Sequence, residues 1–264
     1  MFAGNRKEKI IIGMVHLAPL PGTPFYEEGS YDRILERALA DATALYEGGA
    51  SGCLVQTIDR VYPTGDTADS ARIAAVANIV HDIARATAPG FHIGVQILRN
   101  ALQASLAVAK VSGGSFLRCA ALVGRTMTGD GIVVADPLAV NQYRRRLNAQ
   151  DIKLIAEIHS MHFKSMDGTP VANLAQAAVR AGADAVSLGD PDEGRTAQMV
   201  RAVRAAMPRT PIFLPGYTNH DNAARRLADV DGAFVGTCLE KDGWGSAVDV
   251  ERVRAYMEIV KGLA

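Results

Sequence analysis

The sequence predicts an α/β fold: a single (βα)8 TIM barrel over residues 1–264, with an active-site mouth at the C-terminal ends of its strands. Three observations predict it. The chain is 264 residues long and 48% hydrophobic, close to the roughly 250 residues of such a barrel and rich enough for a large core. Short β-rich runs alternate with helical stretches in eight successive units, the order that builds a parallel sheet. No linker or low-complexity segment interrupts them. A doubly wound open sheet is the alternative.

Each unit has its own warrant. The strand-like runs are IIIGMVHL (10–17), GCLVQT (52–57), HIGVQIL (92–98), FLRCAAL (116–122), KLIAEIHS (153–160), AVSLG (185–189), PIFLPG (211–216) and GAFVGTCL (232–239). The helices that follow them are expected at 31–48, 67–87, 100–112, 136–148, 170–181, 195–207, 219–228 and 249–263. Thr67 or Asp69 opens the second helix and Asp249 the last, while the Gly-Gly at 48–49 and the AGA at 181–183 end two others.

Lys plus Arg (28) equals Asp plus Glu (28), so the net charge offers no general attraction to nucleic acid or an anionic membrane. No apolar run approaches the roughly 18 residues of a membrane span. The opening MFAGNRKEK runs directly into a strand instead of a secretory apolar segment. Cys53, Cys119 and Cys238 are odd in number and sit in apolar runs, which argues against a disulfide framework or zinc knuckle and for a reducing, cytoplasmic setting.

Alternation along each strand then sorts the polar residues. Barrel strands turn every second side chain toward the axis and pack the others against helices. In the fifth unit Leu154, Ala156 and Ile158 are the helix-facing set, so Glu157 and His159 face the axis. The same parity sends His16, Gln56 and Gln96 inward, with Arg118 about two residues deeper. Chemistry in this fold gathers at that end, and Glu157, His159, His16 and Arg118 are the candidate catalytic groups. Each also has an ordinary reading as a hydrogen-bonded polar residue of a barrel interior.

The last two units end LPGYTN and VGTCLEKDGWGS. Their Gly216, Tyr217, Thr218, Gly236 and Thr237 put bare backbone amides and hydroxyls where many barrels bind phosphate. The same Gly-Thr pairs also serve as plain turns. Neither GxxxxGK[ST] nor a strand-borne GxGxxG is present. Trp244 follows, where an aromatic ring can stack on a sugar or base. The segment 123–136 suits a mobile tip at Gly129–Gly131 or a simple connecting hairpin, whereas the three prolines of APLPGTPFYEEG suit a fixed wall.

On IGMVHLAPLPGTP (12–24), ILRNA (97–101), TGDGI (128–132), His159 with His162, DGAFVGTCLEKDG (231–243) and AVDVERV (247–253), the chain resembles the BtpA family, which includes SgcQ-like proteins and is named for a photosystem I biogenesis factor. The resemblance spans nearly the whole chain and implies a TIM barrel with sugar-phosphate barrels as structural neighbours. QTIDR at 56–60, the lack of a lysine between His159 and His162, and LGDPDEG at 188–194 depart from the family pattern and mark a divergent member.

Together these readings lead to acid–base chemistry on a phosphorylated sugar or related metabolite, with Glu157 and His159 as the proton-transferring pair. Gln56, Gln96, Arg99, Asn100, Asp130, His162, Asp190 and Lys241 are the expected substrate contacts. The cofactor is open: a divalent metal would use His16, Glu157 and His159, which would make the chain a metal-dependent hydrolase, although neither HxH nor HExxH occurs. A non-catalytic assembly factor is the other alternative, and homo-oligomerisation stays open.

Overall fold

The computed structural model describes residues 8–263, so the N-terminal residues 1–7 read above lie outside the described part. The elements run β1 (Ile10–Leu17), α1 (Tyr31–Glu47), β2 (Gly52–Thr57), α2 (Ser70–Ala86), β3 (His92–Gln96), α3 (Leu102–Ser112), β4 (Phe116–Cys119), β5 (Arg125–Thr128), β6 (Gly131–Val134) and α4 (Pro137–Arg146). Then follow β7 (Lys153–His159), α5 (Val171–Arg180), β8 (Ala185–Leu188), α6 (Glu193–Ala206), β9 (Ile212–Leu214), α7 (Ala223–Arg226), β10 (Gly232–Val235), a 3-10 turn (Thr237–Leu239) and α8 (Val250–Lys261). Eight strands close into a parallel barrel in the order β1-β10-β9-β8-β7-β4-β3-β2. Among the described residues no helix is long and apolar enough to cross a membrane.

The helix ends follow local chemistry. Asp69 accepts from the Arg72 amide, and Asp249 from those of Glu251 and Arg252. These bonds satisfy amides that a helix start leaves without partners. Gly49 and Gly182 take left-handed φ of 87° and 94° just beyond α1 and α5, the conformation that ends a helix cheaply only at glycine.

One segment takes the second of its two expected forms, and one helix is shorter than expected. The segment 123–136 is an antiparallel hairpin, β5 against β6, outside the barrel. Its alternation buries Thr126 and Val133 and exposes Met127, Ile132 and Val134, a two-residue period that the search for eight barrel strands did not count. In the seventh unit the helix shrinks to four residues, because the Asn219 side chain accepts from the Asp221 and Asn222 amides while Asn222 accepts from Asn219. Such local bonds compete with helix formation.

Two apolar layers hold the barrel. One set, including Val15, Val55, Val95, Leu154, Ala156 and Ile158, packs outward under the helices. The other fills the axis with Ile12, Met14, Leu54, Phe116, Ile155, Ala185, Phe213 and Phe234. Gly94 is required here, since a Cβ at that position would lie 2.2 Å from the Phe116 ring. The phenyl fills the layer that a side chain on β3 would otherwise occupy. Phe116→Ala is therefore expected to cost about 3–5 kcal/mol, read by denaturant unfolding as a lower midpoint at unchanged slope. A loss under about 1 kcal/mol would mean that this ring does not carry the axial packing.

Candidate functional site

The apolar axis layer is the floor on which the polar residues stand. Register sets His16, Gln56 and Gln96 side by side on β1, β2 and β3. Arg118 pairs in register with Ile155, so Glu157 lies two residues further toward the mouth. The long arginine side chain spans that step and reaches Glu157 Oε1 at 3.0 Å. Its guanidinium also donates to the Pro215 carbonyl at 3.4 Å and lies over the Phe234 ring at 4.9 Å. Above it opens a cavity of about 720 Å3, walled by His16, Gln56, Arg118, His162, Arg226 and the turns after β9 and β10.

The floor is not internally saturated. Gln96 Oε1, Arg118 Nε, Glu157 Oε2 and Ser187 Oγ are buried without a hydrogen-bond partner among the described residues. A buried polar atom left this way costs about 1–3 kcal/mol, and such atoms concentrate where function requires them.

A register shift between Glu157 and His159 separates the expected acid–base pair. Glu157 is fully buried and tied to Arg118, while His159 turns to Asp190, with Nε2 3.6 Å from Oδ2. His162 takes the cavity wall instead. Its backbone and that of Phe163 donate to Ser160 Oγ at 2.8 and 3.1 Å, and buried Phe163 anchors the bend. Burial pushes the His162 pKa below 6.5, with Arg118 and Arg99 adding to the fall and Glu157 opposing it.

Across the cavity, His16 Nδ1 lies 3.3 Å from Glu240 Oε1, and Glu240 Oε2 accepts from the Gly245 amide at 2.8 Å. A carboxylate on one ring nitrogen orients the imidazole and leaves Nε2 for the cavity. In the strand ring β1 and β7 are four places apart in either direction, so His16 and His162 stand on opposed walls.

The other expected residues are dispersed. Arg99 pairs with Asp130 at 3.2 Å and lies over the Tyr62 ring at 5.0 Å, which fastens the β5–β6 tip beside the mouth. Asn100 is buried and accepts from the Ala121 amide at 2.9 Å, a structural bond. Asp190 accepts from the Asp192 amide, a bond that holds its carboxyl below the usual range. Lys241 does not reach the mouth: it lines a separate depression with Glu36, Glu47 and residues 248–251. Gly216, Tyr217, Thr218, Gly236 and Thr237 all line the cavity. There Tyr217 takes a left-handed φ of 62° and the Thr218 hydroxyl is bonded to Tyr256 at 2.7 Å.

The metal set does not assemble. His16 is bound to Glu240, Glu157 to Arg118 and His159 to Asp190, and no group of three or more His, Cys, Asp or Glu suited to a metal occurs among the described residues. Strand parity aims all three at one point, but the irregular end of β7 between Glu157 and His159 breaks it. Glu240 and Arg226 were missed. Arg226 donates to the carbonyls of Asp190 and Pro191 and lines the cavity. Its partners lie on another loop, so no spacing along the chain announces it.

These features define a class first: a closed parallel (βα)8 barrel whose polar cavity opens at the C-terminal ends of the strands. The chain belongs to the BtpA family, which it matches over residues 7–262. It is 30% identical over 257 residues to the photosystem I biogenesis protein BtpA of Synechocystis, covering 94% of this chain and 86% of that protein. An uncharacterised protein of Archaeoglobus fulgidus is 31% identical over 258 residues, covering 97% of this chain and all (100%) of the other. Among solved structures, a thiamine phosphate pyrophosphorylase from Pyrococcus furiosus superposes with a TM-score of 0.60 at 15% identity, covering 98% of this chain and 99% of its own. A tryptophan synthase of Mycobacterium tuberculosis gives 0.63 at 16%, covering 97% and 93%. These likenesses carry the fold.

Arg118 and Glu157 are 5% and 1% exposed at their side chains, so removing either leaves the other charge buried without its partner. Glu157→Gln and Arg118→Met are each expected to cost about 3–5 kcal/mol. The double variant should be less destabilised than the sum of the two, as a double-mutant cycle by denaturant unfolding would read. Additive losses would show that the pair does not act as a unit.

Proposed function

We propose that the chain is an enzyme that transfers protons on a phosphorylated small molecule, an isomerase, epimerase or lyase of the sugar-phosphate type. The observation that carries this reading is the pair of opposed imidazoles, His16 backed by Glu240 and His162 with its pKa lowered by burial, above the Arg118–Glu157 floor. A neutral imidazole beside a carbon next to a carbonyl can take its proton. Arg118 then faces the oxygen on which negative charge collects, while His16 returns a proton from the opposite wall. Glu157, shut off beneath, holds Arg118 in place instead of touching substrate. The phosphate is assigned to the turns at Gly216–Thr218 and Gly236–Thr237, which line the cavity.

Solved barrels of this fold include a thiamine phosphate pyrophosphorylase and a 2-keto-3-deoxy-6-phosphogluconate aldolase, which is the context for a phosphorylated substrate. The name of the Synechocystis relative favours a second reading, a non-catalytic assembly factor. Unpartnered Gln96, Arg118, Glu157 and Ser187 atoms beneath an open cavity weigh against a mouth that merely stabilises the barrel. For a metal-dependent hydrolase no set of three His, Cys, Asp or Glu ligands comes together among the described residues.

Ligand-induced thermal stabilisation across phosphorylated sugars, with and without divalent ions, tests the reading, since a ligand at a hundred times its Kd adds about 2.7 kcal/mol. With a substrate in hand, His162→Asn and His16→Asn should each lower kcat by about 10² to 10⁴ with little change in KM. Because burial lowers the His162 pKa below 6.5, the acid limb of kcat/KM, which reports the free enzyme, should have its midpoint below pH 6.5. A midpoint above 6.5 would remove His162 from the role.

A further inference from the structure

A second cavity, of about 520 Å3, lies beside the first. Met14, His16, Ile58 and Trp244 wall both, so the two adjoin as neighbouring chambers on either side of these residues. The side chamber is bounded by Ala18 and Pro19 after β1, by Arg33, Ile34, Arg37 and Asp41 on α1, and by Glu240 and residues 244–246 of the last loop. Its carboxylates are already engaged. Asp41 accepts from the Val248 amide at 2.9 Å and from Arg37 Nε at 2.8 Å, and Glu240 serves His16 and the Gly245 amide. What remains for a ligand is chiefly apolar surface and one large ring. Trp244 is 65% exposed, and its ring centroid lies 5.9 Å from that of His16 at a 47° tilt.

The two chambers therefore ask for different chemistry. The main cavity has an arginine floor and amide-lined turns, whereas the charged groups along the side chamber are paired, Arg37 with Asp41 and Arg33 with Glu27, and it offers the face of an indole. An exposed aromatic face of this kind gains most from a flat ring laid against it. A bare sugar phosphate fits the main cavity but leaves that face in water.

We propose that the ligand is bipartite, a sugar phosphate bearing an aromatic ring. The phosphorylated sugar lies in the main cavity, and the ring enters the side chamber against Trp244. This rests on the reading that the main cavity takes a phosphorylated sugar, and it narrows the substrate class of that same site.

Trp244 is the chain's one tryptophan and borders both cavities, so its fluorescence is read as the difference between ring-bearing and ring-free ligands. Four probes separate the halves: ribose 5-phosphate (sugar phosphate without ring), AMP and nicotinamide mononucleotide (both parts), and adenosine (ring without phosphate). The expected result is that a ring-bearing phosphate quenches Trp244 and binds about tenfold tighter than ribose 5-phosphate by calorimetry. In Trp244→Ala, a change at an exposed position, that advantage should collapse. If ribose 5-phosphate binds and neither ring-bearing phosphate binds more tightly, the bipartite ligand is wrong while the phosphorylated-substrate reading stands. If adenosine quenches and binds as tightly as AMP, the chamber is right and the phosphate assignment wrong. If none of the probes binds, both fall.

Discussion

A ring of parallel strands closes only when its strands are staggered against one another, and the step between β4 and β7 is where that constraint becomes chemistry. Register opposite Ile155 leaves Arg118 one layer below Glu157, and only an arginine or lysine side chain is long enough to cross the difference. The resulting ion pair seals the top of the apolar axis layer. Phe234 lies beneath the guanidinium and the Pro215 carbonyl beside it, so the groups at the mouth stand on a charged but nearly dry platform. In such surroundings charges and hydrogen bonds act more strongly than in water.

Much of this architecture is legible in the chain. Alternation along IIIGMVHL, GCLVQT and KLIAEIH separates residues under the helices from those on the axis, and the structure sorts Ile12 and Met14 from Val15, and Ile155 from Leu154 and Ala156, in that way. Parity fails where the strand stops being regular. His159 shares the parity of Glu157, but the register shift between them ends its validity, and His162 reaches the wall through a bend held by Ser160.

Beyond the strands there is no period to read. Glu240 comes to His16 because a 3-10 turn and an antiparallel bridge from Glu240 to Val248 fold the last loop back over β1. Asn100 and Lys241 carry the polarity expected of ligand contacts. One instead satisfies the Ala121 amide inside the wall, and the other lies on the outer surface. Residue type cannot distinguish a polar group facing a cavity from one that completes a backbone bond; only the path of the loop does.

The β5–β6 hairpin has a consequence of another kind. Its base is built into the protein by the Thr126–Ser165 bridge and the buried Val133. Its tip, by contrast, is fastened through the Arg99–Asp130 pair, with side chains 18% and 16% exposed beside Tyr62 of the cavity wall. Counter-ions weaken a partly exposed pair of this sort, while apolar packing at the base is strengthened or left alone. The entrance and the barrel therefore answer differently to ionic strength. A change in ionic strength bears on the attachment of the tip before it bears on the barrel, whose apolar core is left alone or better held at higher salt.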